Sequence, residues 1–348
     1  MAMLGALKRL SWELHELDLG HEVERIQGPP TPANFLREYV SANKPCIFTG
    51  CVESWHATNK WSRDYLLDKC GDTAVTIDVT SNGRGDAVTI AEMEDGNTLE
   101  CFAQPWQEKM SFGEFVSYLE SSRESTPPIV PYLQKQNNNL LEEFPQLRGD
   151  IEDAGPHWAM EAFGAPPDAV NLWVGDERSV TSFHKDHYEN IYVVIAGTKT
   201  FTLLPPSSVY RLHLGTYPAA SYTRVPKGDL VVQLEEPPRT VVWSPVELPS
   251  SEPGSPSAAT AANRWPLFFA EDLPGPMRCE VRAGEVLYLP SLWHHHVTQT
   301  ANDEGWVVAV NFWYDMKFDA KYAYLKLVED LAAQAGLGPS TMQGCSDG

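Results

Sequence analysis

No stretch of this 348-residue chain is apolar for long enough to cross a bilayer. A spanning helix needs about 20 mostly apolar residues, and the best run, Trp306 to Trp313, falls far short of that. The opening MAMLGALKRLSWELHELD is interrupted by Lys8, Arg9 and Glu13, so it reads as an amphipathic helix and not as a signal peptide. Cysteine is scarce. The six residues Cys46, Cys51, Cys70, Cys101, Cys279 and Cys345 show no CxxC spacing and read as reduced thiols of an intracellular protein, cytoplasmic or also nuclear. Positive charge is scarce too: 26 Lys and Arg against 47 Asp and Glu leave a net charge of −21. Such a surface repels a phosphate backbone, which argues against nucleic acid as a partner. No internal repeat is visible.

What remains is ordinary globular material, with 43% hydrophobic and 21% charged residues. The length allows one large domain or two smaller ones. Residues 1–128 read as a mixed, mostly helical region packed on a β-rich remainder. Met3 to Asp18 carries helical periodicity, and Thr31 can cap a helix reaching Val40, with Pro32 at its first position. Cys46 to Thr49 suits a strand, and Trp61 to Cys70 a helix. Ser111 with Glu114 three residues later forms a capping box for a helix to Glu120.

The character changes at Ile129. IVPYLQKQ, DAVNLWVG, NIYVVIAGTKTFTLL, DLVVQL, RTVVW, MRCEV, EVLYLP and WVVAVNFWY are rich in β-branched and aromatic residues, separated by Gly, Pro and Asp. Many short strands at this spacing indicate a sandwich or barrel over 129–316. The Pro-, Ser- and Ala-dense stretch 244–276 reads as an irregular insertion. Helical periodicity returns from Phe318 to Gln334, within a C-terminal region 317–337, and 338–348 looks like a loose tail.

The ten histidines are unevenly placed. Two stand in Ser182-Phe183-His184-Lys185-Asp186-His187, and three run together as His294, His295 and His296. In a strand, side chains two apart share a face, so His184 and Asp186 would project together, with Tyr188 and Asn190 behind them. With one distant imidazole they make a two-histidine, one-carboxylate triad, a ligand set that leaves open positions and suits non-haem Fe(II) oxygenases. A lone His-x-Asp is weak, because a surface strand can carry one. The second cluster strengthens it, since histidine is rarely spent three times running on packing. Alternation lets only one parity of the three face inward. Lys199 supplies an independent sign. In Thr198 to Leu203 the threonines share one face and Lys199, Phe201 and Leu203 the other. A lysine on an apolar face either snorkels from a strand end or meets an anion. The distal carboxylate of a keto acid chelating the metal would be such an anion.

At these residues the sequence resembles the JmjC-domain 2-oxoglutarate oxygenases, and most of all the small JmjC-only lysyl hydroxylases. The resemblance runs from PPTPANFLREYV through PYLQKQ, TSFHKDHYENIY, GTKTF and AGEVLYLPSLWHHHV to VNFWYDMKFDAKYAY. It implies a double-stranded β-helix of cupin type, mainly β with flanking helices. His184, Asp186 and His295 would bind Fe(II), His295 being the histidine two before Val297. His294 departs from the pattern, where an aromatic residue is more usual. Lys199 would hold the distal carboxylate of 2-oxoglutarate, with Tyr132 and Thr181 as hydroxyl donors. Asn190 and Asn311 would lie beside the proximal carboxylate and the iron, and Gln134 would face the substrate. Thr181 rests on the resemblance alone, its parity being opposite to that of His184. The resemblance further implies O2 as cosubstrate, carbon hydroxylation of a lysine on a protein of the GTP-binding class, and a homodimer through C-terminal helices.

Two other functions fit the same residues. A His/Asp/His set can hold Zn2+ and an activated water, which gives a metallohydrolase, and the resemblance implies peptidase activity on basic, histone-like tails for that reading, but such an enzyme has no use for an inward Lys199. A non-catalytic cupin-like binding module is the other.

Overall fold

The computed structural model describes residues 2–152, 155–226, 228–249 and 256–339. Eight strands form its centre: β1 (Ala169–Gly175), β2 (Thr181–His184), β3 (Tyr188–Ala196), β4 (Thr198–Leu204), β5 (Met277–Arg282), β6 (Val286–Leu289), β7 (His294–Thr300) and β8 (Val307–Asp315). Two sheets share them, one ordered β6-β3-β8-β1 and the other β5-β4-β7-β2. All pairings within the eight are antiparallel. The chain crosses from one sheet to the other after nearly every strand, which is the double-stranded β-helix (jelly roll). Glu24–Gln27 and Cys46–Thr49 extend the first sheet beyond β6.

The near-continuous apolar runs of β3 and β8 come from burial on both faces. Tyr192, Val194 and Ala309 face the barrel interior with Phe201, Leu203 and Leu287. Ile191, Val193, Val308, Val310 and Phe312 face outward, yet are covered by Phe35, Trp55, Phe112, Phe115 and Phe144 of the N-terminal region. That region carries the expected helices. Thr31 caps Pro32–Phe35 by accepting from the Asn34 amide at 3.3 Å, and the capping box of Ser111 and Glu114 opens Phe112–Ser121.

The first part of the chain is less helical than its pattern indicates. Ala74–Thr80, Ala87–Glu92, Thr98–Gln104 and Trp106–Ser111 are strands. Leu230–Leu234 and Thr240–Trp243 are strands as expected but lie outside the barrel. They pair with Gly215–Arg224, which in turn pairs in parallel with Thr98–Gln104. Alternation reveals a strand, not its partner, and here the partners are over 100 residues apart. The segment between β4 and β5 therefore holds strands as well as loop. Within 244–276, Ala258–Arg264 is a helix capped by Ser257, and Trp265 and Phe268 are buried against Phe183 and Leu212.

The C-terminal helix Ala320–Gln334 packs Leu325, Val328 and Ala332 against Leu7 of the N-terminal helix and Val209 and Tyr210. The expected tail from Ser340 onward lies outside the described residues. Among these residues, no helix is long and apolar enough to cross a membrane.

Candidate active site

His184 ends β2 and Asp186 sits in the turn before β3, so the two do not lie on one continuous strand face as the two-residue spacing suggested. The turn folds Asp186 back instead, and the Leu292 amide, in the β6–β7 loop, donates to its backbone carbonyl at 3.0 Å. Tyr188 begins β3 and stacks on Trp313, with ring centroids 4.9 Å apart. His295 lies directly across from His184 in the β2–β7 register, the imidazole centroids 4.1 Å apart.

Asp186 faces Nε2 of both rings, at 3.8 Å from His184 and 3.6 Å from His295. These separations are too long for hydrogen bonds. The three ligand atoms lie within 4.8 Å of one another, a group that could hold a metal ion. The second ring nitrogens are already engaged: Nδ1 of His184 lies 2.9 Å from the Ser182 carbonyl oxygen, and Nδ1 of His295 3.0 Å from that of Trp293. A ring nitrogen that donates to a carbonyl leaves a lone pair on the other, the tautomer a metal ligand needs. Burial pushes the His295 imidazole down to about 4, so that ring is neutral at physiological pH. Asp186 thus has no cationic imidazole opposite it at His295. The donor set fits a divalent cation.

Only one of the three consecutive histidines faces the barrel interior. His295 lines the cavity behind the triad, while His294 and His296 point to the other face and are nonetheless buried.

The cavity runs inward from the triad. Thr181, Asn190, Lys199, Asn311 and Tyr132 line it with His184, Asp186 and His295. Lys199 is 2% exposed, and its ammonium donates to the Tyr132 hydroxyl at 2.8 Å. Among the described residues no carboxylate pairs with it, and burial lowers its pKa from 10.5 to about 7. This is a cation prepared for an anion that the described residues do not supply. Asn311 donates to Asn190 at 3.1 Å and accepts from the Trp173 indole at 2.8 Å. Gly175 lets Tyr132 reach the cavity, because a Cβ there would sit 2.5 Å from the phenol ring.

Thr181 reaches the cavity through a register shift. Between the pairs His184↔His295 and Thr181↔Val297, β2 spends three steps where β7 spends two. The extra residue is a bulge, and it brings Thr181 round to the face of His184. Gln134 does not line the cavity. It donates to Asp78 at 2.9 Å, and Gln136 takes its place at the wall. Trp173 and Tyr192 also line it. Tyr192 was within reach of sequence reasoning, being two residues after Asn190 on the same strand. Trp173 and Gln136 carried no such signal.

The matches to known proteins agree with this geometry. The model of the cupin-like domain matches residues 32–320. The chain is 45% identical over 94% of its length to the protein named lysine-specific demethylase JMJ32 of Arabidopsis thaliana, of which it covers 92%. It is 38% identical over 97% of its length to the human protein named bifunctional peptidase and (3S)-lysyl hydroxylase JMJD7, covering 98% of it. JmjC domain-containing protein E of Dictyostelium discoideum is 37% identical, with 92% of each chain covered. This chain belongs to the cupin-like JmjC family of oxygenases, which use Fe(II) with 2-oxoglutarate and O2.

Proposed function

We propose that this protein hydroxylates carbon in a lysine side chain of a protein substrate, with a GTP-binding protein as the substrate class. His184, Asp186 and His295 hold Fe(II) in this reading. Lys199, with Tyr132 and Thr181, holds the distal carboxylate of 2-oxoglutarate, and Asn190 and Asn311 flank the proximal end. The observation that carries it is one cavity with a metal-ligand triad at its mouth and, deeper in, a buried ammonium with no counter-charge among the described residues. A hydrolytic metal site gives such an ammonium no task. Bound iron and cosubstrate supply the chemistry that turns C–H into C–OH, with succinate and CO2 as the other products. The chain's own residues orient that chemistry. The carbonyls of Ser182 and Trp293 set the imidazole tautomers, Asp186 supplies negative charge, and Lys199 fixes the direction of the keto acid. The enzyme works as a homodimer through its C-terminal helix.

A second reading draws on a specific observation: the 45% identical relative is named a lysine-specific demethylase. Demethylation begins as the same hydroxylation, placed on an N-methyl carbon. A third comes from the word peptidase in the name of the 38% identical relative.

One assay separates them. The purified chain is incubated with Fe(II), ascorbate, 2-oxoglutarate and either a lysine or an N-methyllysine peptide, and products are read by mass. Succinate with one oxygen retained on the lysine peptide is the expected result. Loss of a methyl group with formaldehyde release identifies a demethylase. Peptide cleavage that persists in Lys199→Ala identifies a peptidase, since that substitution abolishes an oxygenase and spares a hydrolase.

A further inference from the structure

The strands that build the cosubstrate cavity build a second cavity on their other face. Alternation along β4 and β7 sends Lys199 and His295 inward and Thr200, Thr202, His296 and Thr298 outward, where they line a space of about 590 Å3. The register aligns Arg278, Thr202 and His296 in a row across β5, β4 and β7, and Glu280, Thr200 and Thr298 in the next row, with Glu280 outside the lining. Phe268 and Phe269, from the β4–β5 segment, supply an apolar wall.

The charge of this cavity runs against that of the molecule. In a chain of net charge −21, its lining among the described residues holds Arg84, Arg211 and Arg278 and no carboxylate. Arg211 is 1% exposed, and its nitrogens donate to the carbonyls of Leu267, Pro274 and Phe268 at 3.2, 2.7 and 2.9 Å. Those bonds use three of the five N–H groups a guanidinium carries, and neutral carbonyls do not balance its charge. Asp272, whose field reaches Arg211, is itself exposed and paired with Lys8 at 2.6 Å. Arg84 pairs with Glu247 at 2.6 Å, and that carboxylate lines an adjoining space with Arg84 and His296. Arg278 is exposed and pairs with no carboxylate among the described residues. Glu280, two residues on, is 3.2 Å from Arg282. His296 is 6% exposed, lines the cavity, and among the described residues has no hydrogen-bond partner for Nδ1.

We propose that this cavity is a second binding site, for a small organic anion whose phosphate or carboxylate head meets the arginines and the Thr202–His296 row, and whose apolar body lies against Phe268 and Phe269. Its ligand is distinct from 2-oxoglutarate, which has no apolar body.

The test is calorimetric titration of the full chain with 1-naphthyl phosphate, 1-naphthoate and inorganic phosphate, in the presence of saturating iron and N-oxalylglycine. At least one naphthyl anion binds with a Kd below about 1 mM, about ten-fold or more tighter than inorganic phosphate, and the stronger of the two identifies the head group. Arg278→Glu, a change at an exposed position with folding checked by thermal unfolding, weakens binding about ten-fold or more. Thr202→Val, which removes one hydroxyl and keeps the volume, weakens it by a smaller factor. Three results would each overturn the proposal: no binding by either naphthyl anion, binding that appears only when N-oxalylglycine is left out, or equal affinity in the parent chain and Arg278→Glu.

Discussion

Lys199 sits inside the barrel with one phenol hydroxyl as its partner. Desolvation depresses its pKa to about 7, which means that below that pH the folded chain carries a buried charge it would rather lose. For a base with a depressed folded pKa, the penalty is full below the folded value. It fades as pH rises toward the ordinary lysine range. Lys199→Met should therefore stabilise the protein without cosubstrate by about 1–3 kcal/mol, most clearly below pH 7, as read by chemical denaturation. The same change should weaken binding of N-oxalylglycine about 100-fold or more, because a buried ion pair is lost. In the parent chain a bound carboxylate raises the lysine pKa again. Binding then takes up a proton above pH 7, and the analogue's affinity should fall as pH rises from about 7, by at most about ten-fold per unit. Titrations near pH 6.5 and 8.5 measure this, and a pH-independent affinity would contradict the role given to the ammonium.

At the scale of elements, the site depends on two connections being held together, the β2–β3 turn with Asp186 and the β6–β7 loop leading to His295. The Leu292-to-Asp186 backbone bond is one tie. Glu189 is the other. It is 4% exposed and accepts from the Tyr288 hydroxyl at 2.7 Å, the Ser291 amide at 3.1 Å, the Ser291 hydroxyl at 2.9 Å and the Lys321 ammonium at 3.0 Å. One carboxylate thus joins β3, the β6–β7 loop and the C-terminal helix. Glu189→Ala would strand an amide, two hydroxyls and a cation, and should cost about 3–5 kcal/mol, with Glu189→Gln intermediate because it keeps the shape and one acceptor. Urea unfolding checks the order; an alanine variant as stable as the parent would remove Glu189 from this account. The helix caps at Thr31 and Ser111 were legible because a cap is a contact three residues long. The Glu189 clamp was not, since Ser291 and Lys321 are over 100 residues away and nothing local marks them.

At the scale of the molecule, the larger sheet is covered on its outer face by the N-terminal region, and the C-terminal helix lies on the N-terminal helix by one face. Other apolar side chains there remain uncovered: Phe318 is 69% and Leu327 55% exposed. If these side chains are the seam of the proposed homodimer, light scattering should give twice the chain mass, and Phe318→Glu with Leu327→Glu should halve it. A monomeric parent chain would remove the dimer from the proposed function.

The sequence alone determined which residues could not be spent idly. Histidines in a β-rich segment and a lysine on the apolar parity of a strand each carry a desolvation cost that calls for a partner, and period-two alternation says which neighbours on one strand share a face. Tertiary structure alone decided which segments pair. It set Thr98–Gln104 beside Gly215–Arg224, bulged β2 so that Thr181 joins the cavity, turned Asp186 back from a loop, and put Gln136 in the wall instead of Gln134. Caps and alternation are local energies that a few neighbouring residues settle. Strand partners and bulges are chosen by the packing of segments far apart along the chain, whose contacts exist only once the whole barrel has closed.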